Sequence, residues 1–270
     1  MRDKTKTLGE QGIMISVVIP TLNAGPALLD TLTALLPAND RGVIREVIIS
    51  DGGSSDRTLA IADDAGAVIV EGPRGRGQQL RAGADIARGP WLLFLHADTI
   101  LETGWDEAAF KFMTIPGQCR AATFRLKFAE SGLRPWLVAL GANLRTRWRG
   151  LPYGDQGLLI SRQHYDAVGG YAPLPLFEDV DLIDRLQAAW PGGDGCLSIL
   201  SPRAITSAER YQRDGYISRV LKNNRCIRLY RKGVPPADIL EVYYGRSSTP
   251  TSGRHGKAAA GGPGQDTPQS

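Results

Sequence analysis

The chain has 270 residues, of which 42% are hydrophobic and 22% charged, and a formal net charge of +4 at pH 7. That length suits one large α/β domain with appendages, and so nearly balanced a charge does not require a nucleic-acid partner. The three cysteines, Cys119, Cys196 and Cys226, are far apart and odd in number, which gives neither zinc-type spacing nor a disulfide framework and favours a reduced, cytoplasmic setting.

No apolar run approaches the roughly 18 residues of a membrane span. The first dozen residues lack the apolar stretch of a signal peptide. Met14 directly precedes the first apolar run, so residues 1–13 read as a flexible extension, with either Met1 or Met14 as the start. Residues 246–270 are rich in Ser, Thr, Gly, Ala and Pro and are expected to be disordered.

The first strand is Ile15–Pro20, which breaks at Pro20-Thr21-Leu22-Asn23. Pro26 suits the first turn of a helix, and Leu28, Leu29, Leu32, Leu35 and Leu36 recur at helical spacing until Pro37, where the helix should end. The loop between them is not GxGxxG, which argues against a dinucleotide unit. Glu46–Ser50 is the second strand, with Asp51-Gly52-Gly53 as its exit. Ser54 or Ser55 is placed to cap a helix running to Ala65, with Asp56 in its first turn and Gly66 as its stop. Asp51 either accepts from a base or ribose or simply caps this turn.

Val68–Val70 is the third strand. Behind it, Arg74-Gly75-Arg76-Gly77-Gln78-Gln79-Leu80-Arg81 interleaves glycine and arginine at a helix start, a pattern that favours a phosphate over a solvated basic turn. Trp91–Leu95 is a buried strand ending in His96-Ala97-Asp98-Thr99. Ligands of open α/β sheets bind outside the carboxyl ends of strands. There, Asp98 and His96 either hold a divalent cation or cap the next turn.

Gly104–Thr114 reads as a helix and Ala121–Phe128 as a strand. Leu133–Trp148 is a helix with Leu133, Trp136, Leu137, Leu140 and Leu144 on one face, ending in Arg145, Arg147, Trp148 and Arg149. That basic-aromatic end suits phosphate, lipid headgroups or a sugar acceptor, or plain solvent. LPYGDQG (151–157) is a loop, LLIS (158–161) a strand, and Gly169-Gly170-Tyr171 a turn. In Phe177-Glu178-Asp179-Val180-Asp181-Leu182 two adjacent carboxylates crowd a helix start, as a general base with its supporter or as an ordinary acidic first turn. A last strand, Cys196–Leu200, precedes a helix over Glu209–Lys232 that carries eight Lys/Arg against two acids, with Ile217, Val220, Leu221 and Ile227 as its apolar stripe. Such a helix lies on a membrane surface or covers the sheet while Arg210 and Arg213 reach a pyrophosphate.

The stretches VVIPTLNA, SDGGSSDRT, GRGQQLRAG, LHADT, GDQG and FEDVDL occur in one order. The set resembles glycosyltransferase family 2, the inverting enzymes with the GT-A fold, over about Ile15 to Tyr211. The resemblance implies an α/β fold of GT-A type: a Rossmann-like mixed sheet flanked by helices, here over 14–208, with a C-terminal basic helical segment over 209–245. It implies a nucleotide-diphosphate sugar as donor and an acceptor hydroxyl on a small molecule, lipid or polysaccharide. Thr21, Asn23 and Asp51 would hold the nucleoside and Arg76, Gly77 and Gln78 the diphosphate, with Ala97, Asp155 and Gln156 as further nucleotide-sugar contacts; Arg210 and Arg213 join them from the reading of the basic helix. Asp98 would bind Mn²⁺ or Mg²⁺, with His96 in place of the family's usual Asp, and Asp179 would be the general base, Glu178 competing. His-Ala-Asp and Pro-Tyr-Gly-Asp-Gln resemble the bacterial branch labelled arsenosugar-biosynthesis glycosyltransferases. A sugar-nucleotide pyrophosphorylase would need a basic, Gly-rich loop after the first strand, where Thr21–Gly25 has no basic residue. A catalytically degenerate binding protein is favoured only by His96. Location would be cytoplasmic, with room for peripheral contact at the inner membrane face.

Overall fold

Strand and helix alternate through the first third of the chain: β1 (Ile15–Thr21), α1 (Gly25–Asp40), β2 (Ile44–Asp51), α2 (Thr58–Asp64), β3 (Val68–Glu71), α3 (Arg76–Ile86) and β4 (Trp91–Phe94). The computed structural model describes residues 14–115, 121–189 and 197–244. The expected extension over 1–13 and tail over 246–270, like Cys119 and Cys196, lie outside these residues. The chain continues through β5 (Thr99–Leu101), α4 (Trp105–Thr114), β6 (Ala121–Phe128), α5 (Leu133–Arg149), a 3₁₀ turn (Gly154–Gln156), β7 (Leu158–Ser161), α6 (Arg162–Ala167), α7 (Glu178–Ala189), β8 (Leu197–Thr206), α8 (Glu209–Asp214), α9 (Tyr216–Arg231) and α10 (Pro236–Tyr244).

The described strands form one mixed sheet in the order β3-β2-β1-β4-β7-β6-β8-β5. β1 pairs in parallel with both β2 and β4, and β2 with β3. The chain therefore winds one way from β1 to β3 and then returns to β1's other side. That reversal leaves a crevice at the carboxyl ends of β1 and β4, the place where such sheets bind ligands. β7 runs antiparallel to β4 and β6, while β6 and β8 pair in parallel.

Period-two alternation sorts the strand residues onto two cores. Ile15, Val17 and Ile19 join α1, α2 and α4 on one face, through Leu28, Leu32, Ala62, Trp105 and Phe112. Val18 and Ile48 join α3, α6, α7, α9 and α10 on the other, through Leu80, Tyr165, Leu182, Cys226 and Ile239.

Five sequence expectations are corrected. Pro37 does not end α1, which runs on to Asp40. A proline costs its helix one hydrogen bond, but Ala38 is fully buried and its carbonyl accepts from Val43 N at 3.0 Å, so tertiary packing holds the last turn. Leu29 and Leu36, expected on the buried face of α1, are exposed. Neither Ser54 nor Ser55 caps α2, which starts at Thr58; the Asp56 carboxylate accepts from Thr58 N at 3.0 Å and from Gly25 N at 3.1 Å instead, tying the starts of α1 and α2 together. The helix expected over 209–232 breaks at Gly215, whose φ of +81° L side chains rarely adopt. Its apolar stripe is reassigned as well: Ile217 and Leu221 face out, and Arg219 and Cys226 are the residues α9 buries.

Candidate active site

Thr21 and Asp51 end neighbouring strands in register. The wholly buried Asp51 carboxylate accepts from Thr21 Oγ1 (2.7 Å), Ser54 Oγ (2.5 Å), Gly53 N (2.9 Å) and Ser54 N (2.6 Å). Burial pushes its pKa up, but these bonds, Ser54's foremost, outweigh it and hold the group below its ordinary value. Those donors fill the lone-pair sites of a carboxylate, so Asp51 shapes the Gly52-Gly53 turn. Asn23 adopts φ +51°, a left-handed conformation its short amide tolerates, and its Oδ1 accepts from Ser55 N at 2.8 Å. Gln79, which sequence reading passed over, donates to the carbonyls of Thr21 (2.6 Å) and Ser50 (2.8 Å) and fastens the two strand ends.

A cavity of about 280 Å³ has Arg76, His96, Asp98, Asp155, Glu178, Asp179 and Arg210 among its lining residues. These seven came from four separate motifs and a helix start. The remaining expected site residues lie outside its lining. Gln156 is wholly buried, with Nε2 on Phe124 O (3.0 Å) and Oε1 accepting from Thr146 Oγ1 (2.8 Å), so it is committed to the loop's own fold. A Cβ on Gly77 would strike the Ala172 carbonyl, so that glycine lets α3 pack against the Ala172–Leu174 segment ahead of α7. Gln78 is exposed, the Ala97 carbonyl accepts from Thr31 Oγ1 at 2.8 Å, and Arg213 is exposed and paired with Asp214 at 3.0 Å.

The acidic pair enters the cavity from a strained backbone. Phe177 is bulky and buried, yet has φ +67°. Glu178 follows at the start of α7, 4% exposed, with Arg76 Nε 3.6 Å from its carboxylate. Burial, and then the neighbouring Asp179 charge, push Glu178 up to about 7 against the pull of Arg76. Asp179 points elsewhere: its Oδ2 accepts from Gly154 N at 2.8 Å and its Oδ1 from Val180 N at 2.7 Å. Asp181 and Asp184 sit further along, paired with Arg185 (2.5 Å) and Arg231 (3.8 Å).

β4 ends at Phe94, four residues before Asp98, so Asp98 stands on a turn rather than on the strand itself. Thr99 N donates to His96 O at 3.2 Å to close that turn. The His96 ring packs on Gly154, where an added Cβ would come within 2.5 Å of Nε2. Burial, then the charges of Arg76 and Arg210, push His96 well below its ordinary value, leaving the neutral imidazole that can ligate a metal. Among the described residues no three His, Cys, Asp or Glu side chains are grouped so as to hold a metal ion unaided. One carboxylate with one neutral imidazole nonetheless fits Mg²⁺ or Mn²⁺, whose remaining positions go to phosphate oxygens and water.

In and around the cavity wall some hydrogen bonds are unmade. Asp155 Oδ1, Arg145 Nη2 and Asn223 Oδ1 are buried with no partner among the described residues. Burial is the main cause that pushes Asp155 up to about 6, with Asp179 and Asp98 adding to it against Arg145. Arg145 lies 3.4 Å over the Tyr153 ring. The basic cluster at 145–149 was visible in the sequence, but Asn223, Tyr153 and Arg219 carried no signal in their spacing. As a whole, the cavity joins a cationic, metal-competent wall to carboxylates, a combination able to hold an anionic leaving group and take a proton.

The family model described as glycosyl transferase family 2 matches residues 16–174, more than half of the chain. A "PGL/p-HBAD biosynthesis glycosyltransferase" of Mycobacterium bovis is 38% identical over 98 residues, covering 33% of this chain and 36% of that protein. The chain thus spans only about a third of the length of the first curated relatives it matches. Mannosyl-3-phosphoglycerate synthase from Rubrobacter xylanophilus superposes with a TM-score of 0.57 at 18% identity, over 83% of this chain and 77% of that one. Glucosyl-3-phosphoglycerate synthase from Mycobacterium tuberculosis, in complex with Mn²⁺ and uridine-diphosphate-glucose, gives 0.57 at 21% identity over 86% and 83%. These likenesses bear out the GT-A architecture, and with the family match they lead to one conclusion: the chain belongs to glycosyl transferase family 2.

Proposed function

We propose that this protein moves a sugar from a nucleotide-diphosphate sugar to an acceptor hydroxyl, with inversion at the anomeric carbon. The observation that carries the reading is the single cavity in which Arg76, Asp98 and Arg210 meet Glu178 and Asp179. The structural neighbour named for its complex with Mn²⁺ and uridine-diphosphate-glucose supports the same donor class. Arg76 and Arg210 steady the diphosphate as its charge grows. Asp98, with His96 beside it, holds the divalent ion, which when bound supplies Lewis-acid stabilisation of the leaving diphosphate. Asp179, fixed by Gly154 N, takes the acceptor proton as the hydroxyl attacks from the opposite face. Thr21, Asn23 and Asp51 shape the rim that receives the nucleoside.

The acceptor is a hydroxyl compound; the His-Ala-Asp and Pro-Tyr-Gly-Asp-Gln stretches support the arsenosugar-biosynthesis branch as its class. We assign 14–208 to the transferase domain and 209–245 to a helical segment that completes the cavity. A cytoplasmic location accords with the cysteine usage, and no helix of the described residues is long and apolar enough to cross a membrane.

Calorimetric titration of a panel of nucleoside diphosphates, with Mn²⁺ and with EDTA, tests the donor site. At least one should bind, more tightly with metal, and Asp98→Ala should abolish the metal-dependent gain. Metal-dependent affinity unchanged in Asp98→Ala would refute the assignment. A loss of equal size in His96→Ala would make His96 a full ligand.

A further inference from the structure

Sequence periodicity put Leu133, Trp136, Leu137, Leu140 and Leu144 on one face of α5; all but the half-buried Leu144 are exposed, so that face is the outer one. The helix packs inward through Pro135, Ala139, Ala142 and Thr146. Leu133 is 70% exposed, Trp136 57%, Leu137 51%, Leu140 38% and Trp148, at the helix end, 76%. At 100° per residue these side chains fall within about a third of the helix circumference, so they form one stripe along the helix. Large apolar stripes left facing water mark interaction surfaces.

The two helices themselves carry charge of one sign. Leu133–Arg149 contains four arginines and no acid, and Tyr216–Arg231 contains five basic residues and no acid. α5 and α9 pack together, Val138 and Tyr216 sharing one cluster. Ile217 and Leu221, 77% and 59% exposed, add apolar side chains on α9. Arg145 and Arg219 are drawn inward, Arg145 onto Tyr153 and Arg219 onto Asp214. Arg134, Arg147, Arg149, Arg225 and Arg228 remain exposed around the apolar residues.

We propose that this face of α5, extended by α9, docks onto an anionic membrane surface. An apolar stripe with tryptophans, bordered by arginines, is the composition of a helix that lies in the headgroup layer. A second copy is disfavoured, because pairing α5 with itself would set arginine rows together with no acid from either helix between them. Residues 245–270 are unsuited too, having no Leu, Ile, Val, Phe, Trp or Met to fill the stripe. Arg145 stacks on Tyr153, which lines the cavity, so docking would bring the cavity close to the bilayer. The proposal is independent of the transferase reading, since vesicle binding is measured without turnover.

The test is co-sedimentation of the full chain with vesicles of phosphatidylcholine alone and of equal parts phosphatidylcholine and phosphatidylglycerol. Binding is expected only to the mixed vesicles and should weaken with salt. Leu137→Ser with Leu140→Ser, and separately Arg147→Glu with Arg149→Glu, should each lower partitioning roughly tenfold or more. All four side chains lie outside the cavity lining, so nucleotide binding and thermal melting should be unchanged and would guard against a folding defect. Brominated lipid should quench the fluorescence of Trp136 and Trp148, as read from the loss of quenching in Trp136→Phe and Trp148→Phe. No sedimentation with mixed vesicles, sedimentation indifferent to the leucine changes, or self-association of the chain that those changes abolish would each overturn the proposal.

Discussion

Asp179 accepts from two backbone amides, Val180 N on one oxygen and Gly154 N on the other, so Asp179→Asn removes the proposed base and leaves one of those amides facing an NH2 group. Asp179→Asn should leave nucleotide affinity nearly intact and lower transfer turnover by roughly 10²–10⁴-fold. Normal transfer in Asp179→Asn with loss in Glu178→Gln would move the base to Glu178. Glu178 makes a second prediction, of stability. Its carboxyl is raised from 4.5 to about 7 in the folded chain, chiefly by burial. Between those values the folded state keeps a proton that the unfolded state has released, so stability falls as pH rises through that window. Melting temperatures should show the wild type losing ground to Glu178→Gln from about pH 4.5 to 7 and no further above it; a constant difference would contradict the buried, proton-holding Glu178. The sequence disclosed residues near the exit of a strand or the start of a helix: Asp98, Arg76, Glu178 and Asp179. Long-range partners were not legible: Thr21 bonds Asp51 from the neighbouring strand, and Gln156 bonds Phe124 and Thr146, contacts that no local pattern records.

Among the elements, the junction of β1, β2 and the entry to β4 is fastened by one side chain. Glu46 accepts from Ser16 Oγ (2.6 Å), Arg88 N (2.7 Å) and Arg88 Nε (2.8 Å). Burial pushes its pKa up, but the Ser16 and Arg88 bonds outweigh burial and hold it below 4.5. A depressed carboxyl contributes stability above its unfolded value and loses it as pH falls through its folded value. Glu46→Gln should therefore cost about 1–3 kcal/mol near neutrality, measured by urea denaturation, with the difference closing below about pH 4. A cost unchanged by acid would mean that shape, and not charge, holds the junction. Element type was legible almost throughout, because period-two and period-3.6 patterns are local. Which face of a helix is buried was not: the leucines of α5 suggest a core stripe, and only the packing of Ala139 and Ala142 under Leu126 and Phe128 shows that small residues face inward.

For the whole molecule, the alternating start of the chain made the parallel half of the sheet readable, and with it the crevice between β1 and β4. The other half was not readable. β6 pairs with β8 in parallel and β5 joins the sheet's far edge, pairings between distant segments that leave no periodic trace. That half carries the Asp155 turn, α8 and α9, which close the cavity over the crevice. In the proposed reaction the cavity cleaves a sugar nucleotide with the diphosphate as leaving group. Incubating the protein with a panel of nucleotide sugars and Mn²⁺ or Mg²⁺, and identifying the products by ion-pair chromatography, tests it most directly. Slow release of the nucleoside diphosphate from at least one donor is expected, abolished by EDTA and by Asp98→Ala. Release of a sugar phosphate instead, or no metal-dependent product from any donor, would contradict it.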